Sequence, residues 1–116
     1  MSNMLHKGGL PELFSEVGFS QVKYFEGTIS STATTIDLNP PCKRVVIRNT
    51  STSLPVYVRV DGEVAIASSS IIPGDNIKVA ALGIFVMDFD SVHSVSLITA
   101  SGTCFVEGIL GFKGSL

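Results

Sequence analysis

The chain reads as all-β, an antiparallel β-sandwich. Apolar and polar residues alternate from about Lys23 to Phe112, turn signals interrupt that alternation at short intervals, and 116 residues suit one domain. In the clearest stretch Leu54, Val56, Val58 and Val60 share one parity while Pro55, Tyr57 and Arg59 share the other. That is the period of a half-buried strand. A chain of this length buries enough surface to fold without disulfides or a structural metal.

The elements follow in order. Residues 1–21 form an N-terminal arm and 22–116 the sandwich domain, which ends in an apolar C-terminal segment. In the arm, Pro11 suits the first position of a short helical turn, Glu12 and Glu16 its early positions, and Gly18 its end. Leu10, Leu13, Phe14, Val17 and Phe19 make the arm too apolar for a solvated tail and too short for its own core. It is expected to pack on its own sandwich or on a neighbour.

Strand candidates then run Val22 to Ile29, Thr34 to Leu38, Arg44 to Asn49, Leu54 to Val60, Glu63 to Ala67, Asn76 to Ala81, Ile84 to Phe89, Val92 to Thr99 and Thr103 to Phe112. Asn39-Pro40-Pro41 stops one strand because proline cannot donate to a ladder. Asp61-Gly62 is a hairpin signal, Asp90-Ser91 a turn, and Pro73-Gly74-Asp75 a turn with φ preset by proline. About eight strands in two sheets, jelly-roll or immunoglobulin-like, are expected. Parity assigns Val45, Ile47, Val56, Val58, Val60, Ile77, Val79, Phe85, Met87, Val95, Leu97, Cys104, Val106, Leu110 and Phe112 to the space between them.

Composition narrows the function. Asp, Glu, Lys and Arg make up 16% of the chain, against roughly 25% in an average soluble domain, and the mean hydropathy is +0.43. A low-charge surface of this kind is expected to oligomerise or dock. Apolar runs such as Val79 to Leu82 and Gly83 to Met87 fall far short of the roughly 20 residues of a spanning helix, so no membrane partner is expected. A net charge of −2 with eight scattered basic residues cannot neutralise a run of phosphates, which argues against direct nucleic-acid binding. Met1 to Gly9 lacks the apolar core of a signal peptide, so folding in a cytosol is expected. There, Cys42 and Cys104 are expected to be free and buried.

No catalytic, cofactor-binding or metal set emerges. Asp88, Asp90 and His93 are the densest polar cluster, and aspartates at a turn accept backbone hydrogen bonds. Zinc needs three or four ligands at compatible spacing, and the only other histidine is His6 in the arm. A Ser-His-Asp hydrolase would need His93 within reach of a serine and a carboxylate. Gly108, Gly111 and Gly114 do not form a phosphate loop; they thin the last strand where another backbone comes close. Two surface features remain. Lys43, Arg44, Arg48 and Arg59 are candidates for a basic spot around an outward Tyr57, and Ile109, Leu110 and Phe112 for an apolar docking end. Candidate partner-binding residues are therefore Leu10, Leu13, Phe14, Phe19, Tyr57, Arg59, Ile109 and Phe112.

The strand Lys43-Arg44-Val45-Val46-Ile47-Arg48-Asn49, the strand Val56-Tyr57-Val58, the turn Ile72-Pro73-Gly74-Asp75-Asn76-Ile77 and the ending Ile98-Thr99-Ala100-Ser101-Gly102-Thr103 resemble small β-sandwich structural proteins of tailed bacteriophage virions. The resemblance covers about Ile36 to Phe112. It implies no enzyme and a place in the virion: a head decoration or cement protein bound to the major capsid protein at the capsid surface, made in the host cytoplasm. It also implies a homo-oligomer, with a trimer suited to threefold positions. The alternative is a tail or head-fibre module recognising host carbohydrate through Tyr57, Arg59 and polar loops.

Overall fold

The computed structural model describes residues 21–67 and 76–112. The helical turn expected at Pro11, the turn at Pro73-Gly74-Asp75, Ser68 to Ser70 and Gly114 to Leu116 lie outside them. Six strands are present among the described residues: β1 (Gln21–Ile29), β2 (Thr34–Asn49), β3 (Val56–Arg59), β4 (Ile77–Val79), β5 (Ile84–Ile98) and β6 (Cys104–Phe112). They form one antiparallel sheet in the order β1-β6-β2-β5-β3-β4.

Two long strands turn this sheet into a sandwich. The first half of β2 pairs with the second half of β5, and the second half of β2 with the first half of β5, with register shifts on both sides of Cys42. Between Asp37 and Cys42 the extra residues are on β2, and between Cys42 and Arg44 they are on β5, so both strands bend at one place. One layer therefore holds β1, β6, the end of β2 and the start of β5. The other holds the start of β2, the end of β5, β3 and β4. Between them lies one core that includes Val45, Ile47, Val106 and Leu110 from the first layer and Val56, Val58, Val95 and Leu97 from the second.

The parity assignment describes this core closely. Of the expected inward set, Val60, Ile77 and Phe85 are partly buried against it and Met87 alone is open, at 45% exposure. Met87 sits where β5 is an edge strand, which leaves one of its sides to solvent. Ile29, Cys42 and Val92 complete the core. Both cysteines are free and buried, and burial pushes the Cys42 thiol up to about 11.

The strand boundaries need three corrections. Asn39-Pro40-Pro41 does not end a strand: the Asn39–Pro40 bond is cis and β2 runs on through the bulge, where a missing N–H leaves no ladder bond unmade. Asp90-Ser91 is likewise no hairpin turn, because β5 continues across it. Glu63 to Ala67 is not a strand. It packs on the outer side of the second layer, where Ala65 is buried and its N–H donates to Ser96 Oγ at 2.9 Å.

Candidate docking surface

The outer face of the first layer carries three cross-strand rows, fixed by register. Val22, Gly111, Arg44 and Asp88 form one; Tyr24, Ile109, Val46 and Val86 the next; Glu26, Glu107, Arg48 and Ile84 the third. The middle row is apolar, and its central members, Val46 and Ile109, are both 0% exposed, with Val22 and Tyr24 packed against them. Charge flanks it. Arg44 forks onto Asp88, with Nη2 to Oδ2 at 2.7 Å, and holds that carboxyl below its ordinary value. The Tyr24 hydroxyl lies 2.7 Å from Glu26 Oε1 and 3.2 Å from Glu107 Oε1. Desolvation, then the hydrogen bond to Glu26 and the charges of both glutamates, raises the Tyr24 pKa above its usual range.

One corner of this face is apolar and open. Leu82, Ile84, Val86 and Phe105 are 40% to 68% exposed. The loop after β2 gathers them: the Asn49 N–H donates to Gly83 O, the Leu82 N–H to Ser51 O, and the Thr50 N–H to Phe105 O, at 2.9 to 3.0 Å. Asn49, itself fully buried, anchors that loop. Its Nδ2 donates to Leu54 O at 2.7 Å and to Val79 O at 3.1 Å, while its Oδ1 accepts the Ser51 N–H at 2.9 Å. The Ala80–Gly83 turn, closed by Gly83 N–H to Ala80 O at 2.8 Å, holds Leu82 at φ 61°. Left-handed backbone costs a branched side chain roughly 1–2 kcal/mol, and this leucine is also 68% exposed. Neither conformation nor solvation favours leucine at that position.

The edge beside this corner is open as well. Among the described residues, Ile84 to Asp88 pair with β2 on one side only. β1, the other edge of the layer, carries Lys23 and Glu26, and charges of that kind discourage added strands. The start of β5, Ile84-Phe85-Val86-Met87, carries none.

The residues singled out from the sequence fall in different places. Leu10, Leu13, Phe14 and Phe19 lie outside the described residues. Ile109 lies on the outer face, in the covered row. Phe112 faces the core, where its ring is 5.8 Å from Lys23 Nζ. Tyr57 is 6% exposed despite its outward parity, so its ring is no open platform. Arg59 is forked onto Asp61 at 2.6 and 2.9 Å. The expected basic spot is not assembled, since Arg44 and Arg48 belong to the first layer and Arg59 to the second. Leu82, Ile84, Val86 and Phe105 escaped the sequence reading. For Ile84 and Val86 the signal was the unbroken apolar run from Ile84 to Met87, which leaves alternate residues apolar on both faces.

His93 Nε2 is 3.1 Å from Ser91 Oγ on the exposed bend of β5, and no carboxylate hydrogen-bonds His93 among the described residues. No group of three His, Cys, Asp or Glu residues that could hold a metal ion occurs among them.

No family model and no curated protein matches the chain. Among solved structures it is similar to a chain from Bacillus endospore appendages, which form a family of disulfide-linked pili. The two are 16% identical with a TM-score of 0.47, over 81% of this chain and 87% of that one.

Proposed function

We propose that this protein is a non-enzymatic structural subunit that docks on an assembled protein shell, as a capsid cement or decoration protein bound across joints of the major capsid protein. The observation that carries the reading is the apolar corner of Leu82, Ile84, Val86 and Phe105, with Leu82 held at φ 61° and open to solvent. Backbone strain that presents an apolar side chain to water is expected where a partner covers it. The motif resemblance to tailed-phage virion proteins supplies the shell, a place at the capsid surface and a trimeric state. A partner that binds only the assembled shell adds its binding free energy to that shell, about 2.7 kcal/mol per site at 100 times its dissociation constant.

The test is a trade-off at one residue. Leu82→Asn relieves the left-handed strain and should raise the chain's own stability by about 1 kcal/mol. It should also weaken binding to purified shells by roughly tenfold to a hundredfold, the worth of one buried leucine. Shells lacking the protein should burst at lower temperature, and the unsubstituted chain should restore the threshold more effectively than the variant. Equal shell binding by both chains would remove the corner from the interface. Equal robustness of shells with and without the protein would overturn the cement reading. The fibre-module alternative needs an accessible Tyr57, and a tyrosine 6% exposed gives it no support.

A further inference from the structure

We propose that the open edge of β5 binds a second copy of this chain, edge to edge about a two-fold axis at Val86. The phase of the ladder fixes which backbone groups face that edge. In an antiparallel pair, opposite residues alternate between those that exchange hydrogen bonds and those that do not. The Asn49 N–H donates to Gly83 O, and on the same register Ile47 lies opposite Phe85 and Val45 opposite Met87. Phe85 and Met87 therefore bond to β2, and Ile84, Val86 and Asp88 turn their N–H and C=O groups outward, where no strand lies among the described residues.

That edge is complementary to itself. Antiparallel pairing with Val86 opposite Val86 of the second copy sets Ile84 opposite Asp88 in both directions, so each outward residue exchanges both of its backbone hydrogen bonds. A two-fold at Phe85 would instead set Asp88 against Leu82, which sits in the turn at φ 61°, and one at Met87 would set Ile84 against Asp90, in the bend of β5. The side chains agree with the Val86 register. Met87 has inward parity yet is 45% exposed, and the second copy's Phe85 falls directly opposite it, in a pair without hydrogen bonds, where side chains come closest. On the outer face no like charges meet, since Asp88, already forked by Arg44, faces Ile84. An uncharged edge invites an added strand, and the chain's own edge matches it in bonds, shape and charge. The pairing runs in the plane of the sheet and leaves the outer side of Leu82, Ile84 and Phe105 open, so it stands or falls separately from shell docking. In trimers it would join copies of two different trimers.

Light scattering on the full chain should give the mass of an even number of copies; the mass of one copy or of three overturns the proposal. Val86 is 40% exposed and accepts a charge without disturbing the core. Val86→Lys and Val86→Glu each set like charges directly opposite one another, so each should halve the mass, with the dissociation constant raised roughly tenfold or more. Mixing the two variants should restore the pair. Variants that stay paired, or a mixture that stays apart, count against the two-fold at Val86. Val86→Cys gives an independent reading: opposed Cα atoms about 5.5 Å apart admit a disulfide, and Cys42 and Cys104 are buried. Mild oxidation should therefore yield a covalent dimer through residue 86, and its absence overturns the proposal.

Discussion

Asn49→Asp replaces the amide that anchors the docking corner with a carboxylate of nearly the same shape, so packing is unchanged and hydrogen bonding alone is altered. The amide donates to Leu54 O at 2.7 Å and Val79 O at 3.1 Å, and an ionised carboxyl can donate to neither. Two net hydrogen bonds are worth about 1 kcal/mol each, and two carbonyls left facing an acceptor at a fully buried site add about 1–3 kcal/mol more. The expected loss is about 3–5 kcal/mol at pH 7, a large part of a typical domain's stability. The site also favours a protonated acid, which regains one donor, so the introduced carboxyl has a folded pKa raised above its unfolded value near 3.9. The sign follows: the deficit is smallest below about pH 4 and grows as pH rises through the raised folded value. Chemical denaturation of both chains between pH 4 and pH 8 measures it. A loss under about 1 kcal/mol at pH 7, or a deficit that does not change with pH, would refute the account of Asn49 as a buried double donor.

Three further perturbations test the architecture. Gly108→Ala places a methyl 2.5 Å from the Val46 carbonyl oxygen and 2.6 Å from Phe25 Cε1; the ring can yield but the strand carbonyl cannot, so a loss of about 1–3 kcal/mol is expected in thermal melts. Leu97→Asp buries a carboxylate between the layers at a residue 1% exposed, and should abolish cooperative unfolding, since its several kcal/mol approach the stability of the domain. Asp88 has its pKa lowered by Arg44 from the ordinary 3.8, so its contribution is complete above about pH 4 and is lost as pH falls through the depressed value. The Asp88 side chain is 59% exposed and that of Arg44 only 14%, and solvent at the carboxylate screens the pair to about 1 kcal/mol or less; Asp88→Asn should therefore cost little at pH 7 and flatten the fall in stability between pH 4 and pH 2.

The alternation of side chains determined the all-β class and all of the inward set but Met87, because period-two burial is a local property that each strand writes in its own residues. Val45, Ile47, Val106 and Leu110 are core for that reason. Only the tertiary structure decided where strands end. Asn39-Pro40-Pro41 and Asp90-Ser91 carry ordinary turn chemistry, yet both lie inside long strands, because opposed bulges on β2 and β5 let the pair bend together without breaking. That one bend turns a single sheet into two layers and merges four expected strands into two; with Glu63 to Ala67 no strand, six are present among the described residues where about eight were expected. Exposure was equally a tertiary matter. Tyr57 and Val86 both have outward parity, and one is buried while the other is open, since parity states which face a side chain takes and only the packing of other segments states whether that face is covered.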